Sequence, residues 1–84
     1  MATFEQAAEH VKTFIQLLAD GELLDLYALY KQSTLGDVAG NAPWSIDFKK
    51  RAKYDAWAKL KGKPPQQARA DYVTLVEILH RKYN

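Results

Sequence analysis

Apolar residues return every three or four positions in four successive segments of this chain, punctuated by capping residues, glycines and prolines. That period lines them along one face of a helix, and nowhere do they alternate in twos as a half-buried strand requires. The fold expected is therefore all-α, a compact bundle of four helices. The first helix opens on Thr3, with Gln6 three residues on in a capping-box pattern. Its stripe is Phe4, Ala7, Ala8, Val11, Phe14/Ile15 and Leu18. The second opens at Asp20, with Glu22 in its positive first turn, and runs to about Leu35 before Gly36 stops it. Asp47 caps a third helix from Phe48 to Leu60, closed by Gly62. Pro64-Pro65 suits the first turn of the fourth, striped by Ala68, Tyr72, Val73, Leu75/Val76, Leu79 and Tyr83. Residues 36–47, marked by Gly36, Gly40-Asn41 and Pro43, form a loop long enough to expect a function of it.

Eighty-four residues with 48% hydrophobic and 26% charged side chains make one ordinary globular domain spanning 1–84. The absence of cysteine excludes a disulfide framework and a thiol nucleophile, and suits a reducing compartment. The apolar run from Phe14 to Leu18 is too short to cross a bilayer, so a soluble, cytoplasmic monomer is expected. Net charge is only +2, but it is unevenly spread. Lys12 stands against five carboxylates in residues 1–30, a net −4, whereas eight Lys and Arg against three Asp in residues 31–63 give +5. A focused positive region captures anions.

The second helix carries the informative face. Leu23, Leu24, Tyr27, Tyr30, Lys31 and Thr34 share one side, while Leu26 and Leu29 lie off it. A core face would exclude the ammonium, and a solvent face has no use for two phenols. An amphipathic anion with an apolar and an aromatic part satisfies all of these groups together. The third helix adds Lys49, Lys53 and Trp57 in a column at intervals of four. The two helices thus offer matching cationic and aromatic groups, and the loop returns the chain so that they can meet.

The stretch Tyr27-x-x-Tyr30-Lys31-Gln32-Ser33-Thr34-Leu35-Gly36-Asp37, followed by Asp47-Phe48 and Arg51-Ala52-Lys53-Tyr54-Asp55-Ala56-Trp57, resembles the acyl-CoA-binding protein family. Leu60-Lys61-Gly62 and Tyr72 extend the likeness over essentially the whole chain. The resemblance implies a non-enzymatic carrier that holds one medium- to long-chain acyl-CoA and needs no cofactor or metal. It maps ligand contacts onto Tyr27, Tyr30, Lys31, Lys53 and Tyr72, with Lys12 and Lys49 in support. Tyr30 would neighbour the adenine, and Tyr27, Lys31 and Lys53 would hold the 3′-phosphate. Ala7, Ala8, Leu23 and Leu24 would line the acyl groove. Expected partners are the ligand itself and, transiently, acyl-CoA-using enzymes or membranes. The chain departs from the family pattern at Leu17-Leu18, where a Lys-Pro pair is common, and at Trp44, Tyr54 and Pro64-Pro65.

Blander readings compete at each position. Tyr27 and Tyr30 alone suit a core boundary, Lys49-Lys50-Arg51-Lys53 a solvated face, and Trp57 and Tyr72 a core. His10, His80, Glu5 and Glu9 form no array at metal-ligand spacing, and Ser33 and Thr34 have no base nearby. A basic helical domain could read nucleic acid, but the small net charge and the acidic first third argue against it. A third class, a protein-interaction bundle, would present Leu17, Leu18 and Trp44 as an exposed apolar patch.

Overall fold

The computed structural model describes residues 2–40 and 47–84. Among these, four helices and a short 3-10 turn are present and no strand. The helices are α1 (Phe4–Val11), α2 (Asp20–Leu35), α3 (Phe48–Ala58) and α4 (Pro65–Tyr83). The expected capping box is formed, with Gln6 N–H donating to Thr3 Oγ1 at 3.1 Å and Thr3 N–H to Gln6 Oε1 at 2.9 Å. Asp47 caps α3 by accepting from the Lys49 and Lys50 amides. Pro65 occupies the first turn of α4, where its missing N–H costs nothing.

α1 is shorter than its apolar stripe. Beyond Val11 the backbone bonds span three residues, from Lys12 to Glu9, Phe14 to Val11, and on to Leu18 with Ile15. The Thr13 hydroxyl donates to the His10 carbonyl at 2.7 Å, an alternative to continuing the α-helix. The 3-10 turn Ile15–Leu17 keeps Phe14 and Leu18 inward, at 5% and 8% exposed. Burial of Leu18 takes it out of the apolar patch that a protein-interaction bundle would present. Leu17 does stand in solvent, and Trp44 lies outside the described residues.

The core joins Ala7 and Val11 of α1, Leu26 and Leu29 of α2, and Ala68, Tyr72, Val73, Val76 and Leu79 of α4. Burying a side chain of this size stabilises the fold by about 1.5–3 kcal/mol. Cross-contacts fix the helix directions. Glu22 meets Lys82 and Tyr83 while Gln32 meets Lys63, so α2 and α4 are antiparallel. Tyr27 meets Lys53 while Gly36 meets Trp57, so α2 and α3 run the same way. Parallel neighbours need a long return connection, which accounts for the length of residues 36–47. α2 is thus the central helix, with α4 and α3 both packed on it.

Glu22 ties the start of α2 to the end of α4. It accepts from Lys82 Nζ at 2.6 Å, from the Tyr83 hydroxyl and from the Ala19 amide at 2.8 Å. These bonds, Lys82 first, pull its carboxyl from the ordinary 4.5 to about 2. A depressed carboxyl contributes stability that is complete above pH 4.5 and vanishes as pH falls through about 2. Glu22→Gln should therefore melt below the wild type at neutral pH, with the gap closing between pH 4.5 and 2. Thermal unfolding followed across that range checks it, and a gap independent of pH would remove the carboxylate from the explanation.

Candidate functional site

The face of α2 that looked anomalous in sequence meets α3 as expected. Lys31 Nζ lies 5.7 Å and Lys53 Nζ 5.3 Å from the centre of the Tyr27 ring. One phenol is thus flanked by two ammonium groups, one from each helix. Each cation gains about 0.5–1 kcal/mol from the ring at an exposed site. The two charges repel one another, however, and neither has an ion-pair partner among the described residues. An anion placed between them would relieve that repulsion.

Beside this pair opens a cleft of about 400 Å³ between α2 and α3. Leu23, Leu24 and Tyr27 line it from α2, and Phe48, Lys49, Ala52 and Lys53 from α3, with Asp20 at the edge. Carbon therefore borders one part and ammonium groups another, the division that an acyl chain joined to phosphates requires. Five residues singled out from the sequence, Leu23, Leu24, Tyr27, Lys49 and Lys53, come together here.

Tyr30 and Tyr72 belong to a neighbouring aromatic cluster. Phe4 stacks on Tyr30 with ring centres 5.5 Å apart, and Tyr72 closes the triangle at 5.1 Å from Phe4 and 6.0 Å from Tyr30. The Arg69 guanidinium lies over the Phe4 ring, 5.8 Å from its centre. Tyr30 remains 42% exposed and Tyr72 only 4%, so Tyr30 presents a rigidly backed aromatic surface to solvent. Burial, and after it the Tyr30 phenol, hold the Tyr72 hydroxyl above its usual value and hence neutral at physiological pH.

The remaining sequence candidates lie elsewhere. Ala7 is in the core at 1% exposed and Ala8 packs against it, so the described lining of the cleft includes neither. Lys12, exposed just past the end of α1, pairs with Glu9 at 3.1 Å. Sequence reasoning passed over Phe48 and Ala52 as lining residues, although 48, 49, 52 and 53 share one helical face of α3. Phe48 is 86% exposed at the rim.

A polar latch holds α3 in place. Gln32, with no exposed surface, donates from Nε2 to Asp37 Oδ1 and to the Lys63 carbonyl, each at 2.8 Å. Its Oε1 accepts from Trp57 Nε1 at 3.2 Å, and the same indole N–H reaches the Gly36 carbonyl at 2.9 Å. Asp37 Oδ1 also accepts from the Gly62 amide at 2.8 Å, the main cause of its lowered pKa. Trp57 is therefore a half-buried hydrogen-bond donor as much as the core residue expected of it. The latch joins the end of α2, the end of α3 and the turn into α4, and Lys53 lies one helical turn before Trp57.

Comparison with known proteins identifies the family of the chain. Residues 1–76 match the model of the family described as acyl CoA binding protein. The acyl-CoA-binding protein of Dictyostelium discoideum is 48% identical over 83 residues, covering 99% of each chain. The acyl-CoA-binding protein homolog of Drosophila melanogaster is 45% identical over 95% of this chain and 93% of its own. The crystal structure of Oryza sativa acyl-CoA-binding protein 2 superposes with a TM-score of 0.89 at 40% identity, covering 94% of this chain and 88% of that one. The protein from Moniliophthora perniciosa gives 0.79 at 27% identity, covering all of this chain and 85% of that one. With near-complete coverage in sequence and in structure, the chain belongs to the acyl-CoA-binding protein family.

Proposed function

We propose that this chain is a cytoplasmic, monomeric, single-domain carrier that binds medium- to long-chain acyl-CoA esters one to one. It buffers them and delivers them to the enzymes and membranes that use them. The supporting observation is the pair of ammonium groups flanking Tyr27 at the edge of an apolar cleft. Coenzyme A carries roughly four negative charges, nearly half of them on its 3′-phosphate. Lysine and phenol groups suit that phosphate, with Tyr27, Lys31 and Lys53 as its holders and Lys49 in reserve. Stacking of the adenine on Tyr30 would contribute roughly 1–3 kcal/mol. Each buried acyl methylene would add about 0.8 kcal/mol, so ten would supply roughly 8 of the 12 kcal/mol of a nanomolar complex. The chain makes that contribution only when the phosphates have set its register, so the phosphates select coenzyme A and the acyl chain adds affinity to a seated head group.

Calorimetric titration with palmitoyl-CoA, CoA and palmitate should give saturable one-to-one binding, strongest for the ester, weaker for CoA and weakest for the fatty acid. Palmitate binding as tightly as its CoA ester would mean that the lysine pair recognises nothing. No saturable binding of palmitoyl-CoA at micromolar concentration would overturn the proposal altogether.

A further inference from the structure

α3 lies along α2 with an opening on each side. The second is a hollow of about 660 Å³ floored by α2 and walled by α3 and α4, two helices that do not pack substantially on one another. Its carbon surface comes from Leu24, Ala28 and Leu29 below, Ala56 and Leu60 on one wall, and Leu75 on the other. Leu24 and Ala52 line both this hollow and the cleft beside Tyr27. The two spaces are therefore neighbours beneath α3, divided by Leu24 and Ala52, and on the α3 side the divider is a single methyl group. Trp57 fastens α3 to α2 more than a turn further on, so the latch does not include the divider at Ala52.

Asp25 and Lys59, at the border of the hollow, are exposed to solvent, and the other charged groups there are partnered. Asp55 accepts from Arg51 at 2.9 Å, and Asp71 accepts from Lys63 and from Gln67. Among the described residues no buried side-chain polar atom lacks a hydrogen bond. What the hollow offers is apolar surface that adjoins the cleft across Leu24 and Ala52.

We propose that the methyl end of a long acyl chain passes under α3 at Ala52 and lodges in this hollow, making Ala52 and Ala56 determinants of chain-length preference. The inference rests on the acyl-CoA reading of the cleft. A ligand held by its phosphate at Tyr27, Lys31 and Lys53 leads its acyl chain along Leu23 and Leu24, which ends at the shared wall. A short chain is covered by the cleft alone, whereas a long one has carbon left over. Each further methylene sheltered from water multiplies affinity about fourfold.

The test compares octanoyl-CoA and stearoyl-CoA on the full chain and on Ala56→Phe, whose ring would occupy the hollow without lining the cleft. Octanoyl-CoA should bind both proteins within about twofold, while stearoyl-CoA should bind the variant at least tenfold more weakly. Equal stearoyl-CoA affinity in both proteins would overturn the inference. A second arm needs no variant: stearoyl-CoA bearing a nitroxide near its methyl end should broaden the amide resonances of Ala56 and Leu75 in the wild type. Broadening confined to Phe48 and Lys49 would send the tail out over the rim and overturn the hollow, whether or not Ala56→Phe folds. Failure of octanoyl-CoA to bind the wild type, by contrast, would strike the function proposal itself.

Discussion

Lys31→Ala should weaken acyl-CoA binding by about 1.5–3 kcal/mol, roughly ten- to a hundredfold, while leaving the melting temperature unchanged or slightly raised. The two effects have opposite signs because the lysine does opposite things in the two states. Without ligand, its ammonium and that of Lys53 share one ring and repel, offset only by modest attraction to the Tyr27 face. Removing one charge costs the empty fold little. With a phosphate between them both become donors to a doubly charged acceptor, and losing one forfeits a charge-assisted hydrogen bond. Lys53→Ala should behave alike. The double variant should lose less than the two single losses added, since both lysines serve the same phosphate. Calorimetry and thermal unfolding on the same preparations check both halves. A fall in stability comparable to the fall in affinity would make Lys31 a structural residue and dissolve the clamp.

Much of this architecture is legible in the order of residues, because the signals involved are local. The limits of α2 at Asp20 and Leu35 follow from an acidic first turn and Gly36, whose φ of 79° excludes most other residues. The pairing of the α2 face with the Lys53 column also follows, since aromatic and cationic residues at helical spacing on two segments share one chemistry. What escapes the sequence depends on partners far along the chain. Nothing near Gln32 says that this polar side chain is completely buried, because its partners stand 25 and 31 positions away at Trp57 and Lys63. His10 and His80 carry no mutual signal either, yet their rings lie 4.4 Å apart across α1 and α4. α1 ends early because Thr13 bonds back to the His10 carbonyl, a choice that hydrophobic periodicity does not register. The shared wall at Leu24 and Ala52 belongs to the same class, since a methyl group is unremarkable until the space on both sides of it is known.

The largest loss of stability is expected at Gln32, a residue with no contact to ligand in the arrangement proposed. Gln32→Leu keeps the volume but removes both donors and the acceptor from a fully buried position. The damage is uneven. Trp57 retains the Gly36 carbonyl and Asp37 retains the Gly62 amide, whereas the described bonds leave the Lys63 carbonyl without the donor it had. A buried group stranded in this way costs about 1–3 kcal/mol, and the weakened Trp57 and Asp37 bonds add to it. A total of about 2–4 kcal/mol is a large fraction of the 5–15 kcal/mol typical of a domain this size. Urea unfolding should show it as a lowered midpoint with an unchanged slope. Affinity for acyl-CoA should fall as well, because α3 carries Lys53 one turn before the latch and would no longer be held at the spacing that the phosphate needs. Charge and geometry can then be separated. Lys31→Ala loses binding without stability, whereas Gln32→Leu loses both. A Gln32→Leu protein as stable as the wild type would show that Trp57 and the packing of α2 on α3 position the helix unaided.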